Sequence, residues 1–231
     1  MARFNGFVAT GSFDVKTMLL ALALLSPMSL ALAEPTAKPV EEMVHYEVVN
    51  NPVNVNAAPG EVVVQELFSY NCGHCHHFEP TVQAWLAKKP ANVRFERIEV
   101  AFNPSWVPLS KAYYALKQMG KAEELNTAIF EAVHKERRPL NTPELIADFV
   151  ASKGVDREAF LKAYNSFVVD GEVRRGVQLA RQYDVHGVPA IVVQGKYRTE
   201  GDLAGGNDKM LEVADQLAAK ITAESAGKAA K

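Results

Sequence analysis

Cysteine is scarce in this chain. Its 231 residues contain two, Cys72 and Cys75, and both fall in the single run Cys72-Gly73-His74-Cys75. A disulfide stabilises mainly by closing a long loop in the unfolded chain, and a bridge this short closes almost none, so a fold stapled by disulfides is excluded. There is also no second Cys/His knuckle to complete a structural zinc site. Excess charge of either sign is lacking too: the formal net charge is −2, with no basic patch interleaved with aromatics, and such a chain has no electrostatic reason to seek nucleic acid. Long apolar runs are missing as well. The best candidate, Met18 to Ala33, is shorter than the roughly 20 residues needed to span a bilayer and is interrupted by Pro27. No internal repeat is visible. What remains, at 48% hydrophobic and 23% charged residues, is the composition of an ordinary globular protein with one domain, or one domain carrying a large insertion.

The stretch Met18 to Ala33 follows the basic residues Arg3 and Lys16 and ends in Ala31-Leu32-Ala33, a small-x-small pattern. Residues 1–33 are therefore expected to be a secretory signal peptide, cleaved after Ala33. Exported proteins sit where disulfides persist. A lone cysteine pair there that does not staple the fold is expected to react.

Glu61 to Ser69 is a dense β-branched run behind Pro59-Gly60 and predicts a central strand, preceded by a short edge strand over His45 to Val49. From Cys75 to about Lys88 the apolar residues Phe78, Val82, Trp85 and Leu86 recur at helical spacing, with Pro80 inside, and Val93 to Phe102 alternates with period two as the next strand. Strand, CxxC, helix and strand make a βαβ unit. Between about residues 103 and 169 the pattern is helical throughout, with Thr142-Pro143 and Asp156 as helix starts. A further amphipathic helix is expected over Glu172 to Tyr183. A hairpin turning at Gln194-Gly195 follows, then a last helix capped by Asn207 and running through Leu217, with a frayed tail beyond it.

In a strand-to-helix turn, Cys72 falls at the helix N-terminus with its sulfur expected to be exposed, and Cys75 comes round beneath it. Free N–H groups and the positive end of the helix dipole favour a Cys72 thiolate, and a protonated His74 would add a cation beside it. A stabilised thiolate is a better leaving group, and stabilising the reduced form makes the disulfide more oxidising. Glu66 lies inside the apolar strand, where a carboxylate is costly. By alternation from Val62 and Val64 it faces under the helix start. It reads either as a buried group exchanging protons with the Cys75 thiol or as a structural partner of a cation such as Arg97, and the two readings are compatible. The motif has rivals. Cys72-Gly73-His74-Cys75-His76 also satisfies C-x-x-C-H, the c-type haem attachment signature, although such proteins are helical around the haem, whereas this motif sits in a βαβ unit. Zinc on Cys72, Cys75, His76 and His77 would need tetrahedral geometry from ligands crowded at one helix start.

The run Phe68-Ser69-Tyr70-Asn71-Cys72-Gly73-His74-Cys75-His76-His77-Phe78-Glu79 resembles the active-site segment of the DsbA family, periplasmic disulfide-forming proteins of the thioredoxin superfamily. Asn165-Ser166-Phe167-Val168-Val169, Gly187-Val188-Pro189-Ala190 and Gln194 to Tyr197 resemble further segments of that family in the same order. The resemblance covers nearly all of residues 40–222. It implies an α/β thioredoxin fold with a helical domain inserted after the βαβ unit: 34–102 and 170–222 would form the thioredoxin-like domain, 103–169 the insertion and 223–231 a flexible tail. It also implies that Pro189 is a cis-proline facing the CxxC, that Val188 offers main-chain hydrogen bonds to an extended substrate, and that Glu66 is the family's buried acid. The cofactor would be the Cys72–Cys75 disulfide alone, with no metal. The partners implied are unfolded exported proteins with free thiols and a membrane-embedded, quinone-linked oxidase of the DsbB kind. The protein would act as a monomer, since only about a dozen residues separate the expected cleavage point from the first strand, too few for the N-terminal dimerisation domain usual in isomerases of this superfamily. The departure is Gly73, where many members carry proline; the dipeptide between the cysteines tunes redox potential. A disulfide isomerase or chaperone of the same fold is the alternative.

Overall fold

The computed structural model describes residues 1, 2, 6 and 38–229. The apolar stretch Met18–Ala33 and its expected cleavage point lie outside the described residues. Two strands rich in β-branched residues form the centre of the sheet. β1 (Glu47–Val48) is short; β2 (Val62–Phe68) is buried along its whole length and pairs in parallel with β3 (Val93–Glu99), in a register running from Val62 opposite Val93 to Phe68 opposite Glu99. On the other side of β2 lies β4 (Ala190–Val193), antiparallel, followed by β5 (Tyr197–Glu200), so the sheet order is β1-β5-β4-β2-β3. The hairpin turns where expected. Gln194 and Gly195 have φ of 54° and 61°, the left-handed pair of a type I′ turn, and Gly195 packs against the Val53 carbonyl with no room for a side chain.

The helix α1 (Gly73–Leu86) connects β2 to β3, which requires a crossover because the two strands are parallel. Its residues Phe78, Val82 and Trp85 form one face and pack with Val62, Val64, Ile191 and Val193 of the sheet. After β3 come α2 (Val107–Gln118), α3 (Ala122–His134), α4 (Pro143–Ala151) and α5 (Arg157–Tyr164). Thr142 and Asp156 cap the last two as expected, their side-chain oxygens accepting from the N–H groups of Leu145 and Ala159. These helices bury an apolar cluster that reaches the strand-to-helix turn through Phe68 and Tyr70. This is the α/β thioredoxin fold with a helical insertion.

Two elements differ from expectation. The helix α6 (Phe167–Gln182) starts five residues before Glu172, with the Ser166 hydroxyl accepting from Val169 N–H, so the expected boundary at residues 169/170 falls inside a helix. Phe167 and Val168 are exposed, and apolar residues facing water broke the spacing that would have marked the first turn. The short α7 (Gly201–Ala204) precedes a 3-10 turn, Asn207–Lys209, and then α8 (Met210–Ala229). Asn207 does not cap a long helix; its side chain lies against Gly201. The last helix runs past Leu217 into the segment expected to fray, because Ile221 still packs on the core and Thr222 bonds both Ala218 O and Asn92.

The helix α6 lies close over β3. A Cβ at Gly176 would collide with the Glu99 carbonyl and with the Tyr114 hydroxyl that hydrogen-bonds to it at 2.8 Å. Gly176→Ala gains about 1 kcal/mol of helix propensity but overpacks this crossing at a cost of about 1–3 kcal/mol. The expected outcome is a lowered urea midpoint at unchanged m-value. A midpoint raised by the substitution would mean that the helix can shift away freely.

Candidate active site

The site is built by the turn Ser69-Tyr70-Asn71 between β2 and α1. Cys72 is the N-cap of α1: its N–H donates to Ser69 O at 3.0 Å, and its sulfur accepts from Cys75 N–H at 3.4 Å. Both cysteines are free thiols. The peptide Val188–Pro189 is cis, and the Cys72 thiol donates to the Val188 carbonyl at 3.1 Å. Cys72 was expected to be exposed; only 8% of it is, and Cys75 has no exposure at all, because the Val188–Pro189 loop closes over the cap.

The two thiols are driven apart. Cys72 is pulled down to about 6: the hydrogen bond from Cys75 contributes most, burial opposes it, and the N–H groups of Cys75 and His74 and the His74 charge add to the lowering. Cys75 is pushed well above its usual value by burial first, then by the neighbouring Cys72 and by Glu66. Near neutral pH the site therefore holds a thiolate at the helix start and a protonated thiol beneath it. His74 and Gly73 are exposed, and nothing lies within 4 Å of where a Gly73 side chain would begin.

Beneath Cys75, Glu66 accepts from Arg97 Nε at 2.9 Å, and both side chains are buried. Arg97 also pairs with Glu79 at 3.0 Å and with Glu123. Burial raises Glu66 to about 7 against the pull of Arg97, with Glu79 and Glu123 adding to the rise. Glu66 is thus paired to Arg97, and its charge is the smallest of the causes that raise the Cys75 thiol. The grouping with Glu79 and Glu123 was not read from the sequence. The signal for its first member was available, since Glu66 and Arg97 face each other across the parallel register of β2 and β3.

Two further neighbours were also missed. Glu99 is fully buried and accepts from the Ser69 hydroxyl at 2.8 Å. His134 bonds the Tyr70 carbonyl at 2.8 Å and stacks on His76 with ring centroids 4.9 Å apart. That stack engages the histidine of the C-x-x-C-H run with another side chain. Among the described residues no group of three or more His, Cys, Asp or Glu side chains is arranged to hold a metal ion, and no helix is long and apolar enough to cross a membrane.

Thiols so unlike each other, adjacent at the first helix of this sheet, exchange disulfides in sequence, one attacking or leaving while the other keeps its proton. The class is protein disulfide oxidoreductase. Residues 63–218 match the family model of the DSBA-like thioredoxin domain. The chain is 44% identical over 185 residues to the thiol:disulfide interchange protein DsbA of Burkholderia cepacia, covering 80% of this chain and 85% of that protein. Over 206 residues it is 42% identical to DsbA of Pseudomonas aeruginosa, covering 89% and 95%. The crystal structure of Pseudomonas aeruginosa DsbA superposes with a TM-score of 0.73 at 44% identity, covering 78% of this chain and 94% of the other. That of Xylella fastidiosa DsbA gives 0.71 at 31% identity, covering 78% and 96%. The chain belongs to the DsbA-like thioredoxin family.

Proposed function

We infer that the protein is a periplasmic dithiol oxidase that donates its Cys72–Cys75 disulfide to reduced, newly exported proteins. The observation that carries this reading is the separation of the two thiols, with Cys72 held low at the cap of α1 and Cys75 held high beneath it. A substrate thiolate attacks Cys72 Sγ of the oxidised pair, forming the mixed disulfide and expelling Cys75 as a thiolate, which takes up a proton. A second substrate thiolate then attacks the substrate sulfur of the mixed disulfide and expels Cys72, a good leaving group because its thiolate is stabilised. The substrate leaves with a disulfide and the enzyme with a thiolate and a thiol.

Each remaining residue has a part in this scheme. Glu66 exchanges the proton of Cys75, and His74 lends N–H and charge to the Cys72 thiolate. Gly73, which leaves the approach to the sulfur open, tunes the potential. Val188 and Pro189 present main-chain groups to an extended peptide: the Val188 carbonyl accepts from Cys72 only while that thiol is protonated, and is free to bond substrate once Cys72 is a thiolate or enters a disulfide. Residues 34–102 with 167–222 serve as the thioredoxin-like domain and 103–166 as the inserted helices, the boundary being moved to the start of α6. The protein works as a monomer, is exported by cleavage near Ala33, needs no cofactor beyond its disulfide and is reoxidised by a DsbB-like, quinone-linked membrane partner.

The test compares two activities of the purified protein: oxidation of a reduced, unfolded protein by the disulfide form, and reactivation of a scrambled one by the dithiol form. Stoichiometric oxidation with little reactivation is expected. Dominant reactivation would make it an isomerase.

A further inference from the structure

Three carboxyls meet a single guanidinium beneath the dithiol. Arg97 of β3 donates through Nε to Glu66 of β2 at 2.9 Å, through Nη2 to Glu79 of α1 at 3.0 Å and through Nη1 to Glu123 in the first turn of α3. No other lysine or arginine pairs with any of the three among the described residues, so one positive charge is shared among them and negative charge is in excess. The other titratable groups around the cluster do not cancel it. Cys75 of α1 and Tyr70 of the active-site turn are buried; from α2, the Tyr113 hydroxyl and, at 3.4 Å, Lys117 Nζ are bonded to the Arg97 carbonyl; and on β4 the residue opposite Glu66 is the apolar Ile191.

The three carboxyls are unequally supported. Glu79 accepts from Arg97 and also from Gln83 at 2.6 Å and Thr127 at 3.5 Å. Glu123 is 61% exposed, and water solvates it. Glu66 is 1% exposed and has the Arg97 bond alone among the described residues. A charge costs little where water reaches it and much where it does not, so the excess is relieved by a proton on Glu66. We propose that Glu123 is a positioning residue of the dithiol site, acting through Arg97 to set the charge on Glu66 and, through Glu66, the ease with which Cys75 gives up its proton.

Each link in this chain is a direct one. Two carboxylates on one guanidinium lie a few ångströms apart and compete for its charge, and the repulsion of Glu123 is among the causes that hold Glu66 at about 7. Glu66 in turn adds to the hold on the Cys75 proton, behind burial and Cys72. The consequence for the reaction appears at the resolving step. Cys75, once it has lost its proton, attacks Cys72 Sγ of a mixed disulfide with glutathione; the Cys72–Cys75 bond forms and glutathione leaves as a thiolate. A charged Glu66 opposes the loss of that proton, and a neutral one does not. By keeping Glu66 neutral up to about pH 7, Glu123 keeps Cys75 available in the neutral range.

The inference rests on the Cys72–Cys75 pair being the exchanging one, and two measurements on the full protein separate the claims. In the first, the Glu66 carboxyl is titrated by carbon-13 NMR on protein labelled at glutamate, its resonance assigned by its loss in Glu66→Gln, for wild type, Glu123→Gln and Glu124→Gln. Glu123→Gln removes the charge and keeps an oxygen for Arg97 at an exposed position, so the core packing is undisturbed. Glu124, the next residue, is paired with Lys121 and serves as the control for surface charge in general. In Glu123→Gln, Glu66 is expected to bind its proton at least about threefold more weakly, the effect of one charge a few ångströms away even under full aqueous screening; Glu124→Gln should match wild type. An unchanged Glu66 midpoint in Glu123→Gln, or the same shift in both variants, overturns the inference whatever the thiols do. In the second, the release of glutathione from the mixed disulfide is timed against pH. Glu123→Gln is expected to be slower than wild type below about pH 7, where Glu66 is neutral only in wild type, and equal to it once Glu66 is charged in both. A Glu66 shift with no change in that profile, or no exchange at Cys72 at all, overturns the functional reading of the site instead.

Discussion

Cys72→Ser is expected to reduce thiol–disulfide exchange to the rate of the uncatalysed reaction, whereas Cys75→Ser accumulates mixed disulfides close to one per protein, read by mass spectrometry without reductant. The asymmetry follows from the geometry. Cys72 sits at the cap, where the Cys75 hydrogen bond and the N–H groups hold a thiolate, so it attacks and leaves; Cys75 has no exposure and sees no substrate. A serine hydroxyl at the cap accepts the same Cys75 N–H but forms no bond to sulfur, so the fold survives while the chemistry stops. With Cys75 replaced, attack at Cys72 has no resolving thiol. The wild-type dithiol should also be alkylated at Cys72 with a midpoint near pH 6 instead of near 9. That pKa is depressed in the folded protein, so it stabilises the reduced form fully above pH 9, and the stabilisation is lost as pH falls through 6. The dithiol form should therefore gain stability on the disulfide form as pH rises across that window. Equal loss of turnover in both variants without trapped intermediates would reverse the roles or remove them.

How much of this was visible beforehand depended on whether a signal was local. Cys72 at a helix start, the caps Thr142 and Asp156 and the turn Gln194-Gly195 each follow from a few adjacent residues, and the alternation of Val62, Val64 and Glu66 assigned Glu66 its face. Resemblance, by contrast, was needed for the cis bond at Pro189, because nothing in a Val-Pro pair distinguishes it. The start of α6 was hidden by two exposed apolar residues that carry no periodicity. Glu79 was passed over because it reads as one more helix-surface acid; it is 2% exposed only because Arg97 reaches it from β3. The Ser69–Glu99 pair needed the register of β2 on β3, and the burial of Cys72 needed the loop that arrives 116 residues later. Contacts between distant segments are set by packing that no local pattern encodes.

Arg97→Met should be the most destabilising single substitution of those considered. The guanidinium is wholly buried and bonds Glu66, Glu79 and Glu123, of which the first two are buried and the third is 61% exposed. Methionine fills much of the stem's volume but leaves two buried carboxyls without a cation. Removing one partner from a buried ionic group costs about 3–5 kcal/mol, far more than an exposed pair is worth. For a protein of this size that lowers the melting temperature by roughly 2–4 °C per kcal/mol. The penalty should depend on pH in a definite direction. Without Arg97, whose charge opposes the rise, the folded protein holds Glu66 in its protonated form more tightly. A carboxyl whose folded pKa is raised contributes stability at low pH and loses it as pH rises through the folded value. Urea titrations should therefore give a smaller loss at pH 5 than at pH 8, and Arg97→Met combined with Glu66→Gln should recover part of the loss at pH 8 by removing one orphaned charge. A loss below about 1 kcal/mol, or one equal at both pH values, would mean that water reaches the cluster and that Arg97 does not govern the charge on Glu66. If it does govern that charge, the surviving Arg97→Met protein carries a neutral Glu66 beneath Cys75, and the Cys75 thiol gives up its proton at a lower pH than in wild type.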